Sequence, residues 1–175
     1  MPPKSPANPL PADLPIIGWR EWVSLPDLKV PKIKAKVDTG ARTSALHAFR
    51  LKVRSVPGGE VATFEVHPTQ NSRVGTVKVQ VPITGWKEVR SSNGETQRRP
   101  VIRTKVKVGN RSWPIDITLT NRDEMGFRML LGRSAVRRRY LVDAGQSFVY
   151  PAALSPNRST SSKKKPSNSS PVKKS

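Results

Sequence analysis

The sequence predicts an all-β domain, a barrel or a sandwich, with one short helix near its C-terminal end. Three observations carry that expectation. Apolar and polar residues alternate along much of the chain, as where Ile33, Ala35 and Val37 interleave with Lys32, Lys34 and Lys36. A period of two is the signature of a strand with one buried and one wet face. Turn signals recur between such runs, at Pro57-Gly58-Gly59, Asn71-Ser72, Asn93-Gly94 and Gly109-Asn110. Many short strands with regular turns are the pattern of all-β architectures.

Taken in order, residues 1–14 hold five prolines and little that could pack, so they read as a disordered tail. The folded domain spans 15–151. Its first strand runs from Trp19 to Val23 and its second from Ile33 to Val37. Strands follow at Leu46 to Val53, Val61 to His67 and Thr76 to Ile83. Glu88 to Ser91 and a long run from Thr96 to Val108 flank Asn93-Gly94, the strongest short hairpin signal, because both residues tolerate positive φ. Gly109-Asn110 turns the chain into Ser112 to Thr120, and Phe127 to Leu131 is the next strand. Ser134 to Arg139 is the helix. Leu141-Val142, a turn at Asp143-Ala144-Gly145, and Ser147 to Tyr150 complete the domain. Residues 152–175 are Ser, Pro, Lys and Asn with almost nothing apolar, and read as a second disordered tail. The chain has no internal repeat.

The formal net charge is +20, of which the C-terminal tail carries +6, leaving +14 on the body. Such a surface attracts polyanions, whether nucleic acid, ribosomes, acidic peptides or anionic membranes, and charge alone does not choose among them. The tail reads either as a solvated extension or as an anchor. The absence of cysteine excludes disulfides, thiol catalysis and cysteine-ligated metals. The chain has two histidines, His47 and His67, and no His-Glu-x-x-His run, so no metal is expected. It has no phosphate loop of the Walker type, so no nucleotide cofactor is expected either. No apolar N-terminal core and no membrane-length run is present, and a cytoplasmic protein without a membrane partner is the expectation.

Two motifs carry chemistry. Asp38-Thr39-Gly40 leaves the alternating strand that ends at Val37, and Leu130-Leu131-Gly132-Arg133 follows much later. Asp-Thr-Gly is how aspartic proteases present a catalytic carboxylate. The reaction needs two carboxylates that share one proton, one acting as general base on a water, the other hydrogen-bonding the scissile carbonyl. Like charges at that distance cannot both ionise, so the pair titrates together. Gly40 lets the loop turn tightly, Thr39 can bond across to a facing loop, and Ala41 keeps the floor shallow enough for a peptide. One such tripeptide per chain means that a second aspartate must come from another copy. The competing reading of Asp38 is an Asx-turn in a hydroxyl-rich loop from Thr39 to Ser44.

Beyond these motifs lie Trp19-Arg20-Glu21-Trp22-Val23, the run from Lys34 through Asp38-Thr39-Gly40-Ala41-Arg42-Thr43 to Ala48, and Arg99-Pro100-Val101-Ile102. Ile117 to Arg122, Met129 to Val136 and Tyr140-Leu141-Val142-Asp143 continue the series. In these segments the chain resembles the bacterial retropepsin-like aspartic peptidase family formerly labelled "putative ATP-dependent zinc protease". The resemblance covers essentially the whole body. It implies a retropepsin-like closed β-barrel and Asp38 as the catalytic residue, with Thr39 and Gly40 fixing the active-site loop. It also implies Ala41, Arg42 and Thr43 lining the cleft, and Leu130, Leu131, Gly132 and Arg133 as structural support beneath it. Some members of the family are linked to an ATP-grasp ligase that adds glutamates to a ribosomal protein, which implies an acidic peptide substrate and a ribosomal association. One departure matters. Retroviral enzymes follow Asp-Thr-Gly-Ala with an acid that pairs with the arginine of Gly-Arg, and this chain has Arg42 there. Arg133 is therefore expected to find another acid, at Asp143, Asp116 or Glu124.

Lys87, Arg90, Arg98, Arg99 and Arg103 lie on both arms of the expected Asn93-Gly94 hairpin. Two readings are open: a flap that covers an acidic peptide through Arg90, Arg98 and Arg99, or an edge hairpin kept soluble by charge. Arg137-Arg138-Arg139 is expected on a short exposed helix. The tryptophans are expected to pack, with no aromatic-basic interleaving of the kind that binds single strands. The residues together point to a homodimeric aspartic endopeptidase acting on acidic peptides or protein tails. The alternatives are a non-catalytic acidic-peptide or ribosome-binding module on the same barrel, and an RNA-binding β-domain.

Overall fold

The computed structural model describes residues 11–90, 94–121 and 126–151. Residues 1–10 of the first tail and all of the second lie outside these residues, as do Asn93 and Glu124. Eleven strands and one short helix make up the described chain: β1 (Ile16–Leu25), β2 (Val30–Asp38), β3 (Ser44–His47), β4 (Phe49–Val56), β5 (Gly59–Val66), β6 (Val77–Pro82), β7 (Gly85–Arg90), β8 (Thr96–Val108), β9 (Arg111–Thr120), β10 (Met129–Gly132), α1 (Arg133–Val136) and β11 (Leu141–Ser147). A 3-10 turn, Pro26–Leu28, joins β1 to β2.

Eight strands form one sheet in the order β11-β1-β2-β10-β3-β9-β8-β7, and β1 also meets β8 at Ser24↔Lys107. The alternation read from the sequence becomes burial. Ile33 and Ala35 on β2 are fully buried, and they pack with Ile17, Leu46, Ile102, Ile117 and Leu131 in a continuous apolar core. A separate three-stranded sheet, β4-β5-β6, packs Ala62, Phe64, Val66 and Val79 into the same core.

Three expectations need correction. The predicted strand from Leu46 to Val53 is two strands, because the chain passes from the large sheet to the small one at Ala48. The helix is a single turn, Arg133–Val136. It stops before the arginine triplet, and Arg138 takes a left-handed φ of 61°. Asp143-Ala144-Gly145 does not reverse the chain. Asp143 Oδ1 accepts the Gly145 N–H at 2.8 Å, and the irregularity is absorbed as a bulge where the register slips from Gly18↔Asp143 to Arg20↔Ser147.

The position of β10 decides the rest. It lies between β2, parallel, and β3, antiparallel, with Gly132 beside Asp38. The two motifs, distant in sequence, become neighbours through this strand.

Candidate active site

Asp38 is the last residue of β2. Its Oδ1 accepts two backbone N–H groups, from Gly40 at 3.0 Å and Ala41 at 3.0 Å. The carboxylate therefore closes its own loop, and among the described residues Oδ2 accepts no hydrogen bond. An Asx-type turn and a presented carboxylate are thus one arrangement rather than rival readings. Thr39 and Gly40 are exposed at the loop's apex.

β10 and α1 hold that loop from below. Arg133 N donates to Ala41 O at 2.8 Å and Ser134 N to Arg42 O at 3.0 Å. Gly132 N donates to the buried Ser44 Oγ at 3.0 Å, and Thr118 Oγ1 donates to Ser44 O at 3.1 Å. Ser44 and Thr118 thus brace the site. No side-chain motif marked them; a hydroxyl among apolar residues of a buried strand was the readable signal. Leu131 is fully buried in the core, whereas Leu130 is half-buried and turned to the opposite face.

The expected acid partner of Arg133 is absent among the described residues. Its Nη1 donates instead to the carbonyls of Thr39 at 2.9 Å and Gly40 at 3.4 Å. Asp116 is taken by Arg103 at 3.1 Å, and Asp143 by Gly145 and Gln146. The Gln146 amide, and then the Gly145 N–H, hold the Asp143 carboxyl below its ordinary range. A guanidinium needs acceptors, and two loop carbonyls serve in place of a carboxylate.

A groove of about 470 Å³ opens beside the loop. Ala41, Arg42 and Thr43 form one wall, and Ala45, Thr118 and Leu130 lie in its floor. The facing wall is the β7–β8 hairpin, with Lys87, Arg90 and Arg99 and one acid, Glu88. Lys87 Nζ donates to Thr43 Oγ1 at 3.1 Å, which ties hairpin to loop. Arg98 departs from the expectation. It does not line the groove but lies over the Trp86 ring at 4.9 Å, because successive residues of a strand face opposite ways. Arg103 lies beyond the hairpin on β8, paired with Asp116.

The tryptophans also differ from expectation. Trp113 packs, but Trp22 is half-buried with Lys32 Nζ 4.0 Å and Lys34 Nζ 5.3 Å from its ring. Aromatic and basic groups do interleave on that face.

Comparison with known proteins gives the family. A family described as retropepsin-like aspartic endopeptidase RimB matches residues 16–153. A protein of Parasynechococcus marenigrum named probable alpha-L-glutamate ligase is 49% identical over 128 residues, covering 73% of this chain and 28% of its own length. One of Shewanella pealeana with the same name is 45% identical over 133 residues, covering 76% and 29%. The chain thus spans less than a third of these relatives. A solved structure of a Legionella pneumophila protein of unknown function superposes with a TM-score of 0.63 at 28% identity, covering 77% of this chain and 97% of that one. The chain belongs to the RimB-like family of retropepsin-like proteins.

Proposed function

We propose that the protein is an aspartic endopeptidase whose active site is assembled from two copies and which acts on acidic peptides or protein tails. The observation that carries this reading is the Asp38 carboxylate, half-buried and held by a loop whose Thr39 and Gly40 are exposed and whose next residues, Ala41 to Thr43, line a cationic groove. Asp38 of each copy supplies half of a proton-sharing pair. One carboxylate deprotonates a water as it attacks the peptide carbonyl, and the other, protonated, stabilises the developing oxyanion. Thr39 and Gly40 keep the two loops in register. The same reading takes the Ser24↔Lys107 bridge as the seam that closes the eight strands into a barrel.

Arg42, Arg90 and Arg99 give the groove its preference, since guanidinium groups pair with carboxylates in two-pronged fashion. The relatives' printed name, a glutamate ligase, points the same way: a glutamate-bearing product is a chemically matching substrate. That pairing also supports a second reading, in which the domain only grips acidic peptides for a ligase.

Asp38→Asn separates the two. It preserves shape and removes the shared proton. The endopeptidase reading expects a folded protein with proteolysis reduced by several orders of magnitude and peptide affinity retained. Undiminished turnover would reject the aspartic mechanism, and a wild type that binds but never cleaves would establish the second reading. For selectivity, kcat/KM is compared for a Glu-rich peptide and its Gln twin. Arg90→Ala/Arg99→Ala should narrow the difference, while Arg98→Ala should leave it standing.

A further inference from the structure

A second cavity, of about 320 Å³, lies on the outer face of β1 and β2. Trp22, Lys32, Lys34 and Arg128 line it together with Pro68 to Gln70 from the β5–β6 connection. We propose that these side chains form a carboxylate-binding subsite that extends the catalytic groove and holds the flanking residues of a long acidic peptide. The inference rests on the endopeptidase reading for its substrate, but the subsite is separate from the Asp38 loop.

Position is the first argument. Lys36 pairs with Leu130 across the β2–β10 ladder and with Arg20 across the β1–β2 ladder. Leu130 lies in the floor of the catalytic groove, and Lys34, in the second cavity, is two residues back along β2. Two residues along a strand and one strand across is roughly 8 Å. One extended peptide can therefore occupy both sites, with Lys36 between them.

Spacing is the second. Lys32, Lys34 and Lys36 alternate with the buried Ile33 and Ala35, so all three project from one face of β2. Same-face residues on a strand repeat at roughly 6.6 Å, which is also the repeat of every second side chain in an extended peptide. A glutamate-rich chain laid along β2 presents carboxylates in step with the ammonium groups. Among the described residues none of the three lysines forms an ion pair.

Pre-organisation is the third. Arg128 lies over the Phe49 ring at 4.6 Å and contacts His47 Nδ1 at 3.1 Å. Lys32 and Lys34 are gathered over Trp22, whose ring stacks on Phe148 at 5.3 Å. The cations are thus held at the cavity before any ligand arrives. The contacts also favour peptide over single-stranded RNA, because the Trp22 ring is already in contact with Phe148 and two ammonium groups, where a base would need an open face.

The test measures binding without requiring cleavage. Fluorescein-labelled Glu-rich peptides of six and fourteen residues are titrated by anisotropy against the 175-residue Asp38→Asn chain, with and without Lys32→Ser/Lys34→Ser. The long peptide should bind more tightly than the short one, and the double substitution should reduce that advantage about fivefold or more. Circular dichroism and melting establish that the variant is folded. An advantage of the long peptide that survives the substitutions overturns the proposal, as does its absence from the parent. Tighter binding of an oligo-uridine of equal charge that is lost on Lys32→Ser/Lys34→Ser also overturns it, in favour of RNA. If wild type fails to cleave either peptide while the lysine-dependent advantage remains, the endopeptidase reading falls and the subsite stands.

Discussion

A methyl group added to Gly132 would lie 2.5 Å from the Thr43 carbonyl carbon and 2.7 Å from the Ser44 nitrogen. Both are backbone atoms of the loop that carries the site, so neither can step aside. Gly40 is the less demanding glycine. An added Cβ there meets only Asp38 Oδ1 at 3.3 Å, and its φ is not positive, so no left-handed backbone requires glycine there. Gly132→Ala should therefore cost about 2–3 kcal/mol of stability, read as a lowered urea midpoint at unchanged slope. Glu21 is a second residue on which the fold depends. It is fully buried, and its Oε1 accepts from Gly18 N at 2.8 Å and Val149 N at 2.9 Å while Oε2 accepts from Tyr150 N at 3.2 Å. Three N–H groups need two acceptor atoms, and an amide offers one. Glu21→Gln should cost about 1–3 kcal/mol in the same assay. Sequence held a trace of this, since Glu21 shares the inward parity of Val23 and Leu25. The partners of Arg133 left no trace, because backbone carbonyls carry no side-chain signature.

Between elements, the joint that matters is where β3 passes into β4. Phe49 is stacked between His47 at 3.9 Å and His67 at 3.8 Å, and His67 Nε2 contacts Glu65 Oε2 at 3.3 Å. The small sheet is thereby latched to the large one, and Trp86 Nε1 donates to Glu60 Oε2 at 2.7 Å to latch the hairpin to β5. The hydrogen bond from His67 holds the Glu65 carboxyl below its ordinary value of 4.5, with Arg50 adding attraction against the opposing effect of burial. A carboxyl depressed on folding stabilises the fold above its unfolded value, and that contribution fades as pH falls through the folded one. Glu65→Gln should therefore lower Tm at pH 7, and its difference from wild type should shrink by pH 3. A difference that stays constant across that range would place the stabilisation elsewhere. Strand existence was legible here through period-two alternation. The division into two sheets was not, because Ala48, where the chain changes sheets, is neither glycine nor proline and is flanked by no turn residue. The antiparallel pairing of β7 with β8 follows the hairpin expected there, while which arginine faces the groove required the register of β7 on β8.

At the scale of the whole molecule, fold class was legible and topology was not. Alternation is a local signal, whereas the insertion of β10 between β2 and β3 is a pairing of distant segments that leaves no local mark. The same holds for assembly. One Asp-Thr-Gly per chain supplies half of the proposed dyad; in the structure Thr39 and Gly40 are exposed, Asp38 is half-buried, and its Oδ1 is engaged by the loop itself. Activity should then require association. Specific activity per protomer should fall on dilution through the dissociation range of the dimer and recover on concentration. Mixing supplies the sharper measurement. With a threefold excess of Asp38→Asn over wild type and random pairing, about one quarter of wild-type chains find a wild-type partner, so activity per wild-type chain should fall to about one quarter. Two basic bodies also repel, so salt should promote association while weakening acidic substrates, and the two effects separate when dimer fraction and KM are measured independently. Constant specific activity in a verified monomer, undiminished by the mutant, would reject the shared dyad. A second acid from within the chain would then have to complete the site. Among the described residues that line the groove beside the Asp38 loop the acid is Glu88, and Glu88→Gln would be the next substitution to make.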